Sequence, residues 1–328
     1  MQTQTRVSRQ SSLEIFSSDS ANFLNHFWEF FSLIAFGDYN FSENLFKHLA
    51  SLKTLDWQRP LVDIGIAKFQ SVSGELFASY KSFQSINKNI ADGINYPSKQ
   101  IEKEILAFSC YEQALLATKI GDMSKCDSLL INGMKLTSIY KLQLAFRLHI
   151  DIQLAMNDLR NLGKLELTIK KVSESNIHAL ACAGWRTAGR LSRIAKNFPT
   201  ALKYFEAASS IAEQYDLQSL KKQIALSLSI YYSEIGEYDM ALKQLNEIQS
   251  SMEFDPAICS KLEILAVLEE KKGNFDKAIS LVREALKISE PLDNILLLPG
   301  EYLYLGTVFE NHYHDLDQAE HYYKLGYD

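Results

Sequence analysis

The chain is short of the residues that turn a backbone sharply. Among 328 residues there are 14 glycines and 6 prolines, whereas an all-β protein needs a turn of that kind roughly every 8–12 residues. Sandwiches, barrels, collagen-like repeats and low-complexity sequence are excluded on that count. Cysteine is scarce too. Cys110, Cys126, Cys182 and Cys259 are widely separated and form no C-x-x-C pair, so a disulfide scaffold is excluded and buried thiols in a reducing compartment are expected. A basic excess is also missing: 34 Lys and Arg face 40 Asp and Glu, for a net charge of −6. The counterion-releasing surface of a nucleic-acid binder is therefore not expected, and no direct nucleic-acid partner is read here.

Signals for targeting and catalysis are equally thin. Arg6, Arg9, Ser11, Ser12, Ser17 and Ser18 open the chain with no apolar core behind them, which is unlike a secretory signal. Residues 1–20 read as a flexible tail. The aromatic segment Asn22–Phe36 is broken by Asn25, His26 and Glu29 and falls short of the roughly 20 residues of a membrane span. It reads as a buried helix, and the protein as intracellular, in the cytoplasm or the nucleus, with no membrane partner. Phosphate-binding glycine loops, H-E-x-x-H and G-x-S-x-G are all absent, so no catalytic residue and no cofactor is assigned. His312, His314 and His321, with Asp315 and Asp317, are the one metal-like cluster. Their spacing suits a solvated turn better than joint ligation, and no metal is expected there.

What the chain does have is apolar content, 47% hydrophobic against 23% charged residues, and a repeat. Gly236-Glu-Tyr238 with Ala241 returns as Gly273-Asn-Phe275 with Ala278, as Lys196-Asn-Phe198 with Ala201 and as His314-Asp-Leu316 with Ala319. Weaker copies stand at Gly37, Gly74, Gly121 and Gly163, so the eight marks are separated by 37, 47, 42, 33, 40, 37 and 41 residues. Each mark is flanked by two helical patterns. A glycine suits the left-handed end of a first helix, and the Asp or Asn beside it suits the start of a second. The aromatic two residues on is expected to pack back on its own hairpin. The small residue five positions on, Ala in four units, with Cys126, Ser79 and Ser42 in others, fits where two helix axes come closest. Pro60, Pro97, Pro256, Pro291 and Pro299 fall between units, and Pro199 in the first turn of a second helix, where its missing N–H costs nothing. Residues 21–95 read as degenerate N-terminal repeats and 96–328 as the main array.

Trp185, Gly189, Ala201, Phe205 and Ala208 make one unit of this repeat resemble the tetratricopeptide repeat (TPR). Tyr232, Gly236, Tyr238, Ala241 and Leu245 match a second unit, and Gly273, Phe275, Ala278, Val282 and Ala285 a third. The match is specific from Cys182 onward. The resemblance implies an all-α, right-handed α-solenoid of about eight TPR-like helix-turn-helix units, whose first helices line a concave groove. The irregular pitch is similar in style to scaffold subunits of large assemblies such as the anaphase-promoting complex.

In that frame Arg186, Arg190 and Arg193 share one face of a first helix, at spacings of four and three. The preceding unit offers Asn157, Arg160 and Asn161, and the following one Gln223 and Ser227. Arginines flanked by amides suit an acidic or phosphorylated segment, or a C-terminal carboxylate. The alternative is a solvated charged face balanced by acids such as Glu166 and Glu174. The set differs from the Lys/Asn/Asn/Lys/Arg clamp of chaperone-binding members, so that ligand does not carry over. The expected function is a non-enzymatic adaptor holding a protein or peptide partner. A ligand-gated regulator is the alternative, and an enzyme the third reading. At the far end Tyr322, Tyr323, Leu325 and Tyr327 predict an apolar surface covered by a partner, by a second copy or by a continuation of the natural chain.

Overall fold

Corner chemistry decides where the helices stop. The computed structural model describes residues 59–72, 76–91, 94, 96, 98–249, 256–290 and 298–327. Among these residues fourteen α-helices follow one another in seven pairs. They are α1 (Arg59–Val72) with α2 (Leu76–Ala91), α3 (Lys99–Lys119) with α4 (Met123–Leu136), and α5 (Tyr140–Asn157) with α6 (Leu162–Glu174). Next come α7 (His178–Ile194) with α8 (Phe198–Gln214), and α9 (Gln218–Glu234) with α10 (Tyr238–Asn246). The last are α11 (Pro256–Lys271) with α12 (Phe275–Ser289), and α13 (Leu298–Val308) with α14 (Leu316–Tyr327). The expected units around Gly37 and the corner at Gly74, like the tail and the Asn22–Phe36 helix, lie outside the described residues.

The partners of each pair pack most extensively on each other, and the first helices α5, α7, α9 and α11 also meet in succession. Successive second helices do not approach one another to the same extent. The first helices therefore occupy the tighter, inner side of the array. The small-residue slot closes each hairpin: Ser79, Cys126, Ala201, Ala241, Ala278 and Ala319 are all buried. At Gly189 the approach is closer still, since a Cβ there would stand 2.6 Å from the Phe205 ring. The four cysteines are free and buried. Burial pushes the Cys110 thiol up to about 11 and Cys182 up to about 12, which leaves both inert as nucleophiles.

Several corners take the form the repeat implies. Gly121, Gly236 and Gly273 have φ of +78°, +86° and +82°, and Lys196 and His314 occupy the same left-handed region. Asp122 Oδ1 accepts from Lys125 N at 3.0 Å and Asn197 Oδ1 from Thr200 N at 3.3 Å, capping α4 and α8. Two further left-handed residues, Asn176 and Asp216, lie between units, where a short polar side chain tolerates that conformation.

Three expectations need correction. The α5–α6 corner lies at Asp158, followed by a 3₁₀ turn over Leu159–Asn161, and Gly163 is already inside α6. Asp158 Oδ1 accepts from Arg160 N at 3.0 Å, so a carboxylate cap turns the chain where a glycine was expected. The aromatic after a corner is not confined to its own hairpin. Phe198 meets Tyr231 edge-on at 5.9 Å, and Phe275 stacks on His312 at 3.8 Å. Pro60, Pro256 and Pro299 stand in the first two positions of α1, α11 and α13 and not between units, which the missing N–H equally permits.

One buried acid fixes a junction between units. Glu104 accepts from Ser138 N at 2.6 Å, from Ser138 Oγ at 2.7 Å, and from Thr137 Oγ1. Thus α3 holds the link from α4 to α5. Glu104→Ala is expected to lower stability by about 2–4 kcal/mol, because it leaves those donors unpaired. Urea midpoints of the two proteins measure it, and Glu104→Gln should lose less.

Candidate functional site

Three neighbouring inner helices enclose a cleft of about 220 Å³. From α7 come Arg186, Arg190 and Arg193. Gln223 and Ser227 come from α9, with Leu226 and Ile230 forming the apolar floor between them. The far wall is α11, through Ser260, Glu263 and Ile264. Helical spacing explains the alignment, because residues three and four apart present one face.

The three arginines differ in their surroundings. Arg193 forms an ion pair with Glu234, which also pairs with Lys196 at 3.4 Å. Its charge is committed to joining α7 and α9. Arg186 is not committed: its Nε is buried without a hydrogen-bond partner. Burial, reinforced by the like charge of Arg190, pushes the Arg186 guanidinium down to about 10. Arg190 is exposed over the residue as a whole, yet burial around its guanidinium, with the neighbouring Arg193 charge, lowers it as well. Among the described residues, two cations without counter-ions thus stand together in a partly desolvated cleft. Such an arrangement favours a bound anion.

Glu263 is the counterpart on the opposite wall. Burial, with the carboxylate of Glu301 nearby, pushes it up to about 7. A raised carboxyl pKa means the folded state favours the protonated form. Stability is therefore lost as pH rises from the ordinary carboxylate range towards 7, when the buried group must ionise. Glu263→Gln is expected to be more stable than the parent at pH 8 by about 1–3 kcal/mol and nearly equal to it at pH 5. Thermal melts at the two pH values read this directly.

The other sequence-derived residues lie elsewhere. Asn157 closes α5, and Arg160 and Asn161 lie in the turn after it. Arg160 forks onto its neighbour Asp158 at 2.8 Å, and Asn161 Nδ2 donates to the carbonyls of Leu154 and Asp158 at 3.2 and 3.1 Å. All three serve the α5–α6 corner and stay apart from the cleft, because the corner falls five residues before Gly163. Glu263 and Ser260 were missed, although a signal existed. The corners at Gly236 and Gly273 are 37 residues apart, and that interval carries Gln223 onto Ser260 and Leu226 onto Glu263.

His312 stacks on Phe275 and lies 3.3 Å from Glu270. Among the described residues no three His, Cys, Asp or Glu side chains are arranged to hold a metal ion. Among the same residues no helix is long and apolar enough to cross a membrane. On α14, Leu316, Leu325 and Tyr327 are exposed, whereas Tyr322 stacks on Phe309 at 5.6 Å within its own pair.

No family model matches the chain, and no curated protein matches it in sequence. Solved structures do match in fold. A Rap protein complexed with competence and sporulation factor aligns at TM-score 0.62 and 12% identity, covering 97% of this chain and 88% of that one. The apo form of RapI aligns at TM-score 0.51 and 12% identity, covering 82% and 96%. The Cut9–Hcn1 hetero-tetramer of the anaphase-promoting complex reaches a TM-score of only 0.38 at 11% identity, covering 96% and 65%, and supports no argument about fold.

Proposed function

The chain being a TPR-like, all-helical repeat protein, we propose that it is a non-enzymatic adaptor that holds an acidic peptide segment of a protein partner in the cleft on α7, α9 and α11. The observation that carries this reading is the pair Arg186 and Arg190 in that cleft, which among the described residues has no counter-ion. Guanidinium groups bind carboxylate or phosphate with two parallel hydrogen bonds, and a desolvated cleft strengthens each of them. A carboxylate side chain, a C-terminal carboxylate and a phosphorylated residue all meet that requirement. The cleft is smaller than the roughly 300–1,000 Å³ of sites that engulf small molecules, which favours part of a longer chain as ligand. Capture of partners by the full chain from its native cells, followed by elution with acidic peptides, tests it. Elution by neutral peptides as readily as by acidic ones would overturn it.

A second reading is a regulator that changes shape on binding its ligand. It is favoured by the likeness, along nearly the whole chain, to a Rap protein crystallised with a bound factor. Contraction in small-angle scattering on adding the ligand separates it from a static scaffold. The exposed Leu316, Leu325 and Tyr327 give either reading a second contact surface, for a partner or another copy of the chain.

A further inference from the structure

We infer that the segment recognised by this cleft carries two opposite charges flanking an apolar residue. The inference rests on the acid-binding reading above and supplies the other half of the ligand. Lys196, Gly236 and Gly273 are separated by 40 and 37 residues, and those intervals carry Arg186 onto Leu226 and then onto Glu263. All three line the same cleft. They form one rung across three adjacent inner helices: a cation, an apolar side chain and an acid.

The polar groups at the two ends do not satisfy each other. Arg186 Nε is buried without a partner, and among the described residues neither Arg190 nor Glu263 forms an ion pair. Leu226 and Ile230 of α9 lie between them. A polar group withdrawn from water and left unpaired is costly, so the ligand that gains most from this cleft brings an anion to α7 and a cation to α11. Packed helices stand about 8–10 Å apart, which puts the axes of α7 and α11 roughly 16–20 Å from each other. Side chains reaching in from both walls leave about 10 Å, or about three residues of extended chain at ~3.3 Å each. The ligand is then an acidic residue and a Lys or Arg about three positions apart, with an apolar side chain between them over Leu226.

An array of nonapeptides with randomised flanks tests this on the full chain. Its members carry one Asp, one Lys, both three positions apart around a Leu in either order, or neither, each with a free or an amidated C terminus. One order of the paired peptides is expected to bind about tenfold more tightly than Asp alone. Glu263→Gln should remove that advantage and leave Asp-only peptides unchanged, whereas Arg186→Gln should weaken both. Glu263→Lys should shift the preference from Lys to a second acid. The free and amidated arms distinguish a terminal carboxylate from a side chain as the anion. Paired peptides no better than Asp alone, or an advantage that survives Glu263→Gln, would overturn the charge pair. If Asp binding still needs Arg186 in that case, the acid-binding reading stands. Binding indifferent to both acid and Arg186 overturns the two together.

Discussion

Reversing both free cations, Arg186→Glu with Arg190→Glu, is expected to weaken binding of the captured partner by at least about 100-fold. Each guanidinium that pairs with an anion inside a desolvated cleft contributes about 1.5–3 kcal/mol, and every 1.4 kcal/mol is tenfold in affinity. Reversal also adds repulsion to the loss. The fold should not suffer, because among the described residues neither side chain forms an ion pair. Relieving the crowding of like charges around Arg190 should leave the melting temperature equal or higher. That combination is diagnostic: binding lost with stability retained marks a recognition surface, and the opposite pattern marks a structural one. Arg186→Lys keeps the charge but loses the fork, so about a tenfold loss is expected. Reversing Arg193 should behave differently, because its partner Glu234 belongs to the next unit. Titration calorimetry or fluorescence anisotropy, beside thermal melts, gives both readouts. Unchanged affinity in the double reversal would remove the cleft from consideration.

Gly189→Val is expected to destabilise the protein by about 3–4 kcal/mol. Phe205 is fully buried, and its ring would stand 2.6 Å from a Cβ at position 189. The ring is also held from behind, edge-on to Tyr231 at 6.2 Å, so α7 and α8 must separate to admit a side chain. Overpacking of a core typically costs about 1–3 kcal/mol, and a β-branched residue at a backbone contact lies at or above that range. Replacing glycine in a helix recovers up to about 1 kcal/mol of propensity, too little to offset the clash. Gly163→Ala provides the control. It lies in α6 with nothing within 4 Å of its added Cβ, so propensity alone acts and stability should rise by about 0.5–1 kcal/mol. Opposite signs for two glycine replacements in neighbouring pairs would confirm that contact decides the outcome. A neutral Gly189→Val would show that the interface yields.

The paired-helix architecture was legible because its determinants are local. A left-handed corner, a small residue five positions on and an apolar stripe can each be read within some twenty residues. Reading failed where a different side chain served the same purpose. At Asp158 a carboxylate cap turns the chain, and the frame drawn through Gly163 aligned Asn157, Arg160 and Asn161 with a cleft whose lining does not include them. Asn176 and Asp216 adopt φ of 58° and 52°, and in sequence they look like any polar residue between helices. The cleft was half visible. Its basic wall follows from helical spacing alone. The acidic wall depends on the interval between units, and a lone Glu263 carries no mark of burial. That Phe198 and Phe275 also reach the next unit was not legible, since that contact is made by tertiary packing.

The left-handed residues Asn176, Lys196, Asp216 and Gly236 are spaced at twenty residues each. Through this stretch the backbone advances in equal steps, and the bends give no indication of which helix is inner and which is outer. Only side chains make that distinction. Changes of length here therefore obey a parity rule. Removing forty residues returns every remaining helix to its own layer and shortens the groove by one rung. Removing twenty preserves each bend and exchanges the layers downstream, turning Glu263 to the outside and away from Arg186. A forty-residue deletion is therefore expected to keep the layers in order, whereas a twenty-residue one would leave the bends equally well formed and the layers exchanged.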